Sequence, residues 1–251
     1  MEENQKVLTK RWRKVDPREL TSYRKLGGYE VLQRVLQMKP RLIIEEIVKS
    51  GLQGRGGGGF PTGKKWESAA SFESDEKYFI CNLDESEPGT YKDRLLAEND
   101  PHQLIEGIII GSYAVGAKKA YIYVNGNFHL AHFLLERAVN QAYEHHFLGQ
   151  GLMGSDYSLD IEIFVGAGAY ICGEETALIN SIEGKRGEPR KRPPYTSECG
   201  LFNKPTVVNN AETIASIPWI MEHGGTKYAQ IGSNGDVGTK IFCIDGIVKN
   251  P

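Results

Sequence analysis

Apolar positions along the chain alternate between two spacings, one typical of helices and one of buried strands. In Pro40–Lys49, Leu42, Ile43, Ile47 and Val48 recur at helical steps and Ser50-Gly51 ends the run, which predicts a helix following a first one over Gly28–Gln37. The run KYFICN (Lys77–Asn82) is short and continuous, as expected of a strand covered on both faces. Asp100-Pro101 reads as a cap followed by proline at the first helical position, so a helix is expected to about Val115. Beyond it the pattern predicts a strand at Ala120–Val124, a helix over Leu130–His145, a strand at Asp160–Val165 and a helix beginning near Gly173. Pro189–Pro205 reads as a long basic loop, Asn209–Glu222 as a helix and Lys240–Val248 as a last strand. Short apolar strands separated by longer helices imply parallel strands joined by crossover helices, an α/β sheet.

A chain of 251 residues, 40% of them hydrophobic, can bury one large core or two small ones. No run approaches the roughly 20 apolar residues of a membrane span, and the opening MEENQKVLTKRWRK has no apolar block of the kind that leads a secreted protein. A soluble, cytoplasmic protein without membrane insertion is the expectation. The net charge of -2 argues against a nucleic-acid partner. Cys81, Cys172, Cys199 and Cys243 lie far apart with no C-x-x-C pair, so neither a metal cage nor a disulfide framework is expected. The end at Asn250-Pro251, directly after a predicted strand, reads as a cut through a longer protein.

Against this background GRGGGGFPTGKK (Gly54–Lys65) stands out, because six of its twelve residues are glycine. Gly54, Gly56 and Gly59 satisfy G-x-G-x-x-G, yet a dinucleotide fingerprint follows a strand and these residues follow a predicted helix. Gly58–Lys64 fits G-x-x-x-x-G-K, yet Lys65 stands where a phosphate loop needs Ser or Thr to hold magnesium. The physics common to both motifs remains: glycines let a ligand touch the main chain, and successive N–H groups cradle an anion. Phe60 and Trp66 argue against a mere linker.

Three further clusters carry polar chemistry. CNLDESEPGTYKDR (Cys81–Arg94) sits at the carboxyl end of a predicted parallel strand, where open α/β sheets bind ligands, and offers Asn82, Asp84, Glu85 and Glu87. In VGAGAYICGEETALINSIEGKRGEP (Val165–Pro189) a strand again runs into glycines and a helix, with Glu174 and Glu175 in the first turn after Gly173. Arg190, Lys191 and Arg192 beside Pro193, Pro194 and Tyr195 form a stiff basic strip with an aromatic face, and Asn209 and Asn210 at a helix start suit capping or phosphate contact.

In this order, GRGGGGFPTGKKW, CNLDESEPGTYKDR, GAGAYICGEETALINSIEGKRGEPR and KPTVVNNAET closely resemble the NADH-binding flavoprotein subunit of respiratory complex I, the 51-kDa type, over nearly the whole chain from about Gly27. Flavoprotein subunits of NAD-linked hydrogenases and formate dehydrogenases share these motifs. The resemblance implies a Rossmann-like, mostly parallel sheet with flanking helices. It divides the chain into a helical extension over 1–50, a domain binding FMN and NADH over 51–239, and the truncated start of a β-grasp-like domain over 240–251.

The same resemblance places cofactor contacts along Gly54, Arg55, Gly56, Gly57 and Gly58, with Lys65 near the flavin. Asn82, Asp84 and Glu85 would meet the ribityl chain and ring, while Gly173, Glu174 and Glu175 would line the cleft where nicotinamide stacks on flavin. Asn209 and Asn210 would reach the phosphate region, and Phe60, Glu87, Tyr170 and Tyr195 match positions that hold NADH, the aromatic ones chiefly at the adenine. Hydride transfer from NADH to FMN would need no obligatory acid or base. Electrons would pass to iron–sulfur centres of a larger complex, peripheral to the inner membrane, with a 2Fe-2S protein among the partner subunits. The family's 4Fe-4S ligands are absent from this sequence, Gly58 replaces the usual alanine, and Arg192 replaces a common lysine.

Two other classes make different demands. A nucleotide hydrolase built on GGFPTGKK would show magnesium-dependent turnover, and a docking module would hold flavin without reacting with NADH.

Overall fold

The computed structural model describes residues 6–233 and 235–249; the outermost residues of the expected extension (1–5) and of the expected final segment (250–251) lie outside the described residues. The chain opens with α1 (Leu20–Lys25), α2 (Glu30–Val35) and α3 (Pro40–Ser50), passes through the glycine loop and continues in α4 (Thr62–Ser71). There follow β1 (Tyr78–Leu83), α5 (Lys92–Asn99), α6 (Pro101–Val115), β2 (Lys119–Asn125), α7 (His129–Glu144), β3 (Asp160–Gly166) and α8 (Glu175–Ile182). The last elements are β4 (Thr206–Asn210), α9 (Ala211–Ala215), α10 (Ile217–His223), α11 (Gly225–Ala229) and the small antiparallel pair β5 (Gly232–Ser233) and β6 (Asp236–Val237).

β1 to β4 form one parallel sheet in the order β3-β2-β1-β4, with Ile80 opposite Tyr121 on one side and Val208 on the other. Phe79, Cys81 and Leu83 of β1 pack into the cluster around α6, while Tyr78 and Ile80 pack with Leu178 and Ile179 of α8, so both faces are covered, which explains the unbroken apolar run. α6 forms where the local signals place it: the Asp100 carboxylate accepts the Gln103 N–H at 3.3 Å, Pro101 opens the first turn, and Gly116 closes the helix in the left-handed region at φ 80°. Its residues are buried almost all round, because it packs on β1 and β2 while α4, α7, α9 and α10 cover its remaining faces.

The N-terminal helices share this core. Leu20, Tyr23, Tyr29 and Leu32 are buried in one cluster with Ile105, Ile108 and Ile109 of α6. A buried polar set pins them. The Tyr23 hydroxyl and the Tyr29 N–H (3.2 Å) both donate to the Glu106 carboxylate, the Tyr29 hydroxyl lies 3.0 Å from His102 Nδ1, and Arg11 pairs with Asp100 at 2.8 Å.

The carboxyl-terminal part departs from the expected pattern in two ways. Asn209 does not begin a helix: it lies in β4 opposite Cys81, while Asn210 caps α9. The helix expected over Asn209–Glu222 breaks at Ser216 into α9 and α10, since Pro218 has no N–H for the carbonyl one turn back. Nor do the described residues of Lys240–Val248 form a strand; they run along the body without a strand partner, held by isolated bonds such as Ile241 N–H to Glu212 at 2.9 Å. No helix among the described residues is long and apolar enough to cross a membrane.

Candidate functional site

After β1 the chain builds β2 and β3 on one side, then crosses to place β4 on the other. The order therefore reverses between β1 and β4, and a crevice opens beyond their carboxyl ends. A cleft of about 610 Å³ occupies that place. It is walled by Arg55, Gly56 and Gly57 of the glycine loop, by Asn82, Asp84, Glu85 and Glu87 after β1, by Tyr170, Gly173 and Glu174 before α8, and by Asn210. Of the expected site residues, Gly54, Gly58, Phe60, Lys65, Glu175, Tyr195 and Asn209 are not among its walls.

The glycine loop is tied at its base. Gln53 bridges Pro61, Gly54 N–H donates to the Phe60 carbonyl and Thr62 N–H to the Leu52 carbonyl, both at 2.9 Å. One glycine is required by geometry, Gly57 at φ 106°, while a Cβ on Gly56 would stand 3.3 Å from the Asn210 Cβ, a tight contact that a small shift of that side chain relieves. Among the described residues, the N–H groups of Gly56, Gly57 and Gly58 take no intrachain hydrogen bond and remain donors for a ligand. Arg55 is buried, its N–H donating to Thr213 Oγ1 at 2.9 Å and its Nη2 to the Val237 carbonyl at 2.8 Å. Lys65 is no phosphate hook, because its Nζ lies 2.9 Å from Glu175 and 3.0 Å from the Val208 carbonyl.

At the end of β1, Asn82 joins two walls: its Nδ2 donates to the Gly173 carbonyl at 2.9 Å and its Oδ1 accepts the Asp84 N–H at 3.0 Å. Asp84 Oδ2 is buried with no partner, and burial pushes this carboxyl up to about 6. Glu85 caps α5 by accepting the Asp93 and Arg94 N–H groups, both at 3.0 Å; burial, reinforced by the Asp93 charge, raises its pKa. Across the mouth the Tyr170 hydroxyl donates to Glu87 at 2.6 Å.

Both asparagines at the end of β4 have their oxygens engaged. Trp66 Nε1 donates to Asn209 Oδ1 at 2.8 Å, and the Glu212 N–H donates to Asn210 Oδ1 at 3.0 Å. Asn210 Nδ2 spends one donor on Asp93 at 2.7 Å. Asn210 keeps one Nδ2 donor at the cleft wall, which suits an anion, while Asn209 is buried behind it.

Sequence reasoning missed several residues. Lys92 and Asp93 wall the cleft, and Lys92 pairs with Asp93 and with the buried Glu212, both at 2.9 Å. Burial opposes the charge on Lys92, but the two carboxylates outweigh it and its pKa ends raised. Arg192 bonds Glu174 and lies 3.0 Å from Glu175. Glu174 also caps α8, accepting the Thr176 and Ala177 N–H groups at 2.9 Å. The available signal was Asp93 in the first turn of α5 after the Pro88-Gly89 turn, which marks a helix start. Ser86, Thr90 and Ile171 complete the walls, and Phe60, Tyr170 and Tyr195 stand more than half exposed, at 56%, 63% and 59%. Of these rings only that of Tyr170 lines the cleft, where it can stack on a flat ligand.

Free main-chain N–H groups, an amide donor and an orphaned buried carboxyl oxygen fit a ligand carrying both phosphate and polar ring edges. A parallel α/β sheet with such a cleft at its switch point defines a nucleotide-binding α/β protein. The sequence profile of the Nuo51 FMN-binding domain of the Complex1_51K family matches residues 47–219, and the chain belongs to that family. It is 52% identical over 245 residues to an NADH-quinone oxidoreductase component of Aquifex aeolicus, covering 98% of this chain and 57% of the relative. It is 44% identical to the HndC component of the NADP-reducing hydrogenase of Solidesulfovibrio fructosivorans, covering 98% of this chain and 50% of that one. An NAD+-reducing NiFe-hydrogenase, solved in its H2-reduced state, superposes with a TM-score of 0.79 at 39% identity over 86% of this chain and 37% of its own. The chain thus spans little more than half the length of the curated relatives it matches.

Proposed function

We propose that the cleft between β1 and β4 binds FMN and admits NADH, and that the chain is the NADH-oxidising module of a larger electron-transfer complex. The observation that carries this reading is the convergence of the glycine loop, the Asn82–Glu87 segment, the Gly173–Glu174 segment and Asn210 on one cleft at the switch point. Bound flavin would supply a ring that accepts two electrons as hydride and releases them singly.

The chain's own residues bind and orient. The free N–H groups of Gly56 and Gly57, with the remaining donor of Asn210, take the phosphate, and Asn209 stands behind them bonded to Trp66. Asn82, Asp84 and Glu85 accept from ribityl hydroxyls and the ring imide, which accounts for a cleft rich in carboxylates. Glu174 and Glu175, steadied by Arg192 and Lys65, form the nicotinamide side, and Tyr170 stacks on the adenine. Holding two rings face to face supplies most of the rate, since effective molarities of well-oriented reactants reach about 10⁵ to 10⁸ M. No side chain is needed as an acid or base.

Residues 51–239 are the cofactor-binding part, and the described residues before them are a helical extension packed on it. The partners are other subunits, a 2Fe-2S protein among them, in an assembly peripheral to a membrane. In this reading the iron–sulfur centres that take the electrons lie in partner subunits.

Purified chain mixed with FMN should show a bound-flavin visible spectrum that bleaches on anaerobic addition of NADH. Absence of binding or of bleaching overturns the reading. Glu175→Gln should change the KM for NADH while leaving the melting temperature nearly intact; equal losses would make that residue structural.

A further inference from the structure

Three residues at or beside the cleft hold the segment that follows β6. Arg55, a cleft wall, donates Nη2 to the Val237 carbonyl at 2.8 Å. Lys92, another wall, pairs with Glu212 Oε2 at 2.9 Å, and the other oxygen of that carboxylate accepts the Ile241 N–H at 2.9 Å. Tyr91, between Thr90 and Lys92, donates its N–H to Cys243 Sγ at 3.2 Å and its hydroxyl to the Ile244 carbonyl at 3.0 Å.

Glu212 is 1% exposed and is the hinge of this arrangement. Its two oxygens face opposite clients: one fixes the ammonium that underlies Asn210 and Asp93, the other fixes the main chain at Ile241. The segment it holds has no sheet ladder to secure it, and Phe242 and Ile244 are exposed. Docking of residues 237–244 therefore rests in part on bonds that run through the cleft wall, beside the Gly238 N–H bond to the Ile231 carbonyl at 2.7 Å and the packing of Ile241 on the core.

We propose that Glu212 is a positioning residue that couples occupancy of the cleft to docking of residues 237–244. The inference rests on the cleft being the FMN site. A ligand that fixes Arg55 and the Lys92 side chain favours the docked segment, and by linkage the docked segment raises ligand affinity by the same factor. The coupling gives the domain a mechanical link between its cofactor and whatever chain or subunit the 237–244 segment leads to.

Amide hydrogen exchange of the purified chain, with and without saturating FMN, reads the coupling directly. FMN should slow exchange within 238–244 at the bonded amides, Gly238 and Ile241, by about tenfold, within the usual 5–150-fold range of such couplings. Glu212→Gln should weaken FMN binding, read by quenching of flavin fluorescence, by a similar factor and abolish the protection. Should that variant fold poorly, Tyr91→Phe removes the bond to Ile244 without touching a cleft wall and should give a smaller loss of both. Failure of the wild-type chain to bind FMN overturns the functional reading and this inference together. Normal FMN binding with unchanged exchange at 238–244, or a loosened segment with undiminished FMN affinity in either variant, overturns the inference alone.

Discussion

Two buried clusters of similar composition behave differently because their carboxylates face different donors. In the cluster that docks the N-terminal helices, Glu106 is met by a phenol and a backbone N–H, and its Oε1 has no partner. Burial is only weakly opposed there, so the carboxyl is pushed from its ordinary value of 4.5 up to about 7. Beneath the cleft, Asp93 and Glu212 are met by the full charge of Lys92 and by the Asn210 amide. Glu212 is raised by burial as well, but Lys92 opposes the rise. A buried acid held mainly by a phenol and an N–H keeps an orphan oxygen and a strongly raised pKa, whereas Glu212 is tied to an ammonium that opposes the same rise.

Breaking the ion pairs beneath the cleft should have the largest effect. Lys92→Ala leaves Asp93 and Glu212 buried without their cation, and such a loss costs about 3–5 kcal/mol; urea unfolding of the variant should show that drop and a collapse of FMN binding. Glu106→Gln tests the other cluster. The folded state holds the Glu106 proton more tightly than the unfolded chain, so this group's stabilisation is full below pH 4.5 and lost as pH rises through about 7. The variant should therefore gain on wild type by up to about 3 kcal/mol between pH 5 and pH 8. A difference in stability that does not change across that range would refute the assignment.

A smaller effect is expected where a neutral bond orients the cleft. Trp66→Phe orphans Asn209 Oδ1 and should cost about 1–3 kcal/mol in unfolding measurements. Gly56→Ala should be smallest in stability, below about 1 kcal/mol, since the added methyl meets only the Asn210 side chain at 3.3 Å. That methyl intrudes beside the proposed phosphate contacts, so FMN titration should show a clear loss where melting shows almost none.

What was legible in the sequence was local. The Asp100 cap, Pro101 and terminal Gly116 define α6 within its own span, and the glycine loop announces close approach of something to the backbone. β4 was hidden because five residues after a proline, ending in two asparagines, satisfy a capping pattern equally well, and their strand partner β1 lies far away in sequence. The expected strand over Lys240–Val248 fails for the converse reason: apolar residues alone make no strand without an edge to pair with. Lys92 and Glu212 were missed, and the Glu174 and Glu175 partners of Arg192 in the basic strip were not foreseen, because ion pairs across the fold leave no spacing signature, whereas Asn82, Asp84 and Glu85 sit at a strand end, which does.

The position of β1 also sets a timetable. It acquires one neighbour when residues 119–125 emerge from the ribosome, but its second only after 206–210 have been made. Until then one whole flank of the crevice does not exist, and the unpaired side of β1 waits as an adhesive edge. Loading of the coenzyme must therefore come late in synthesis, and a nascent chain stalled before Thr206 should depend on a chaperone rather than on flavin for its protection.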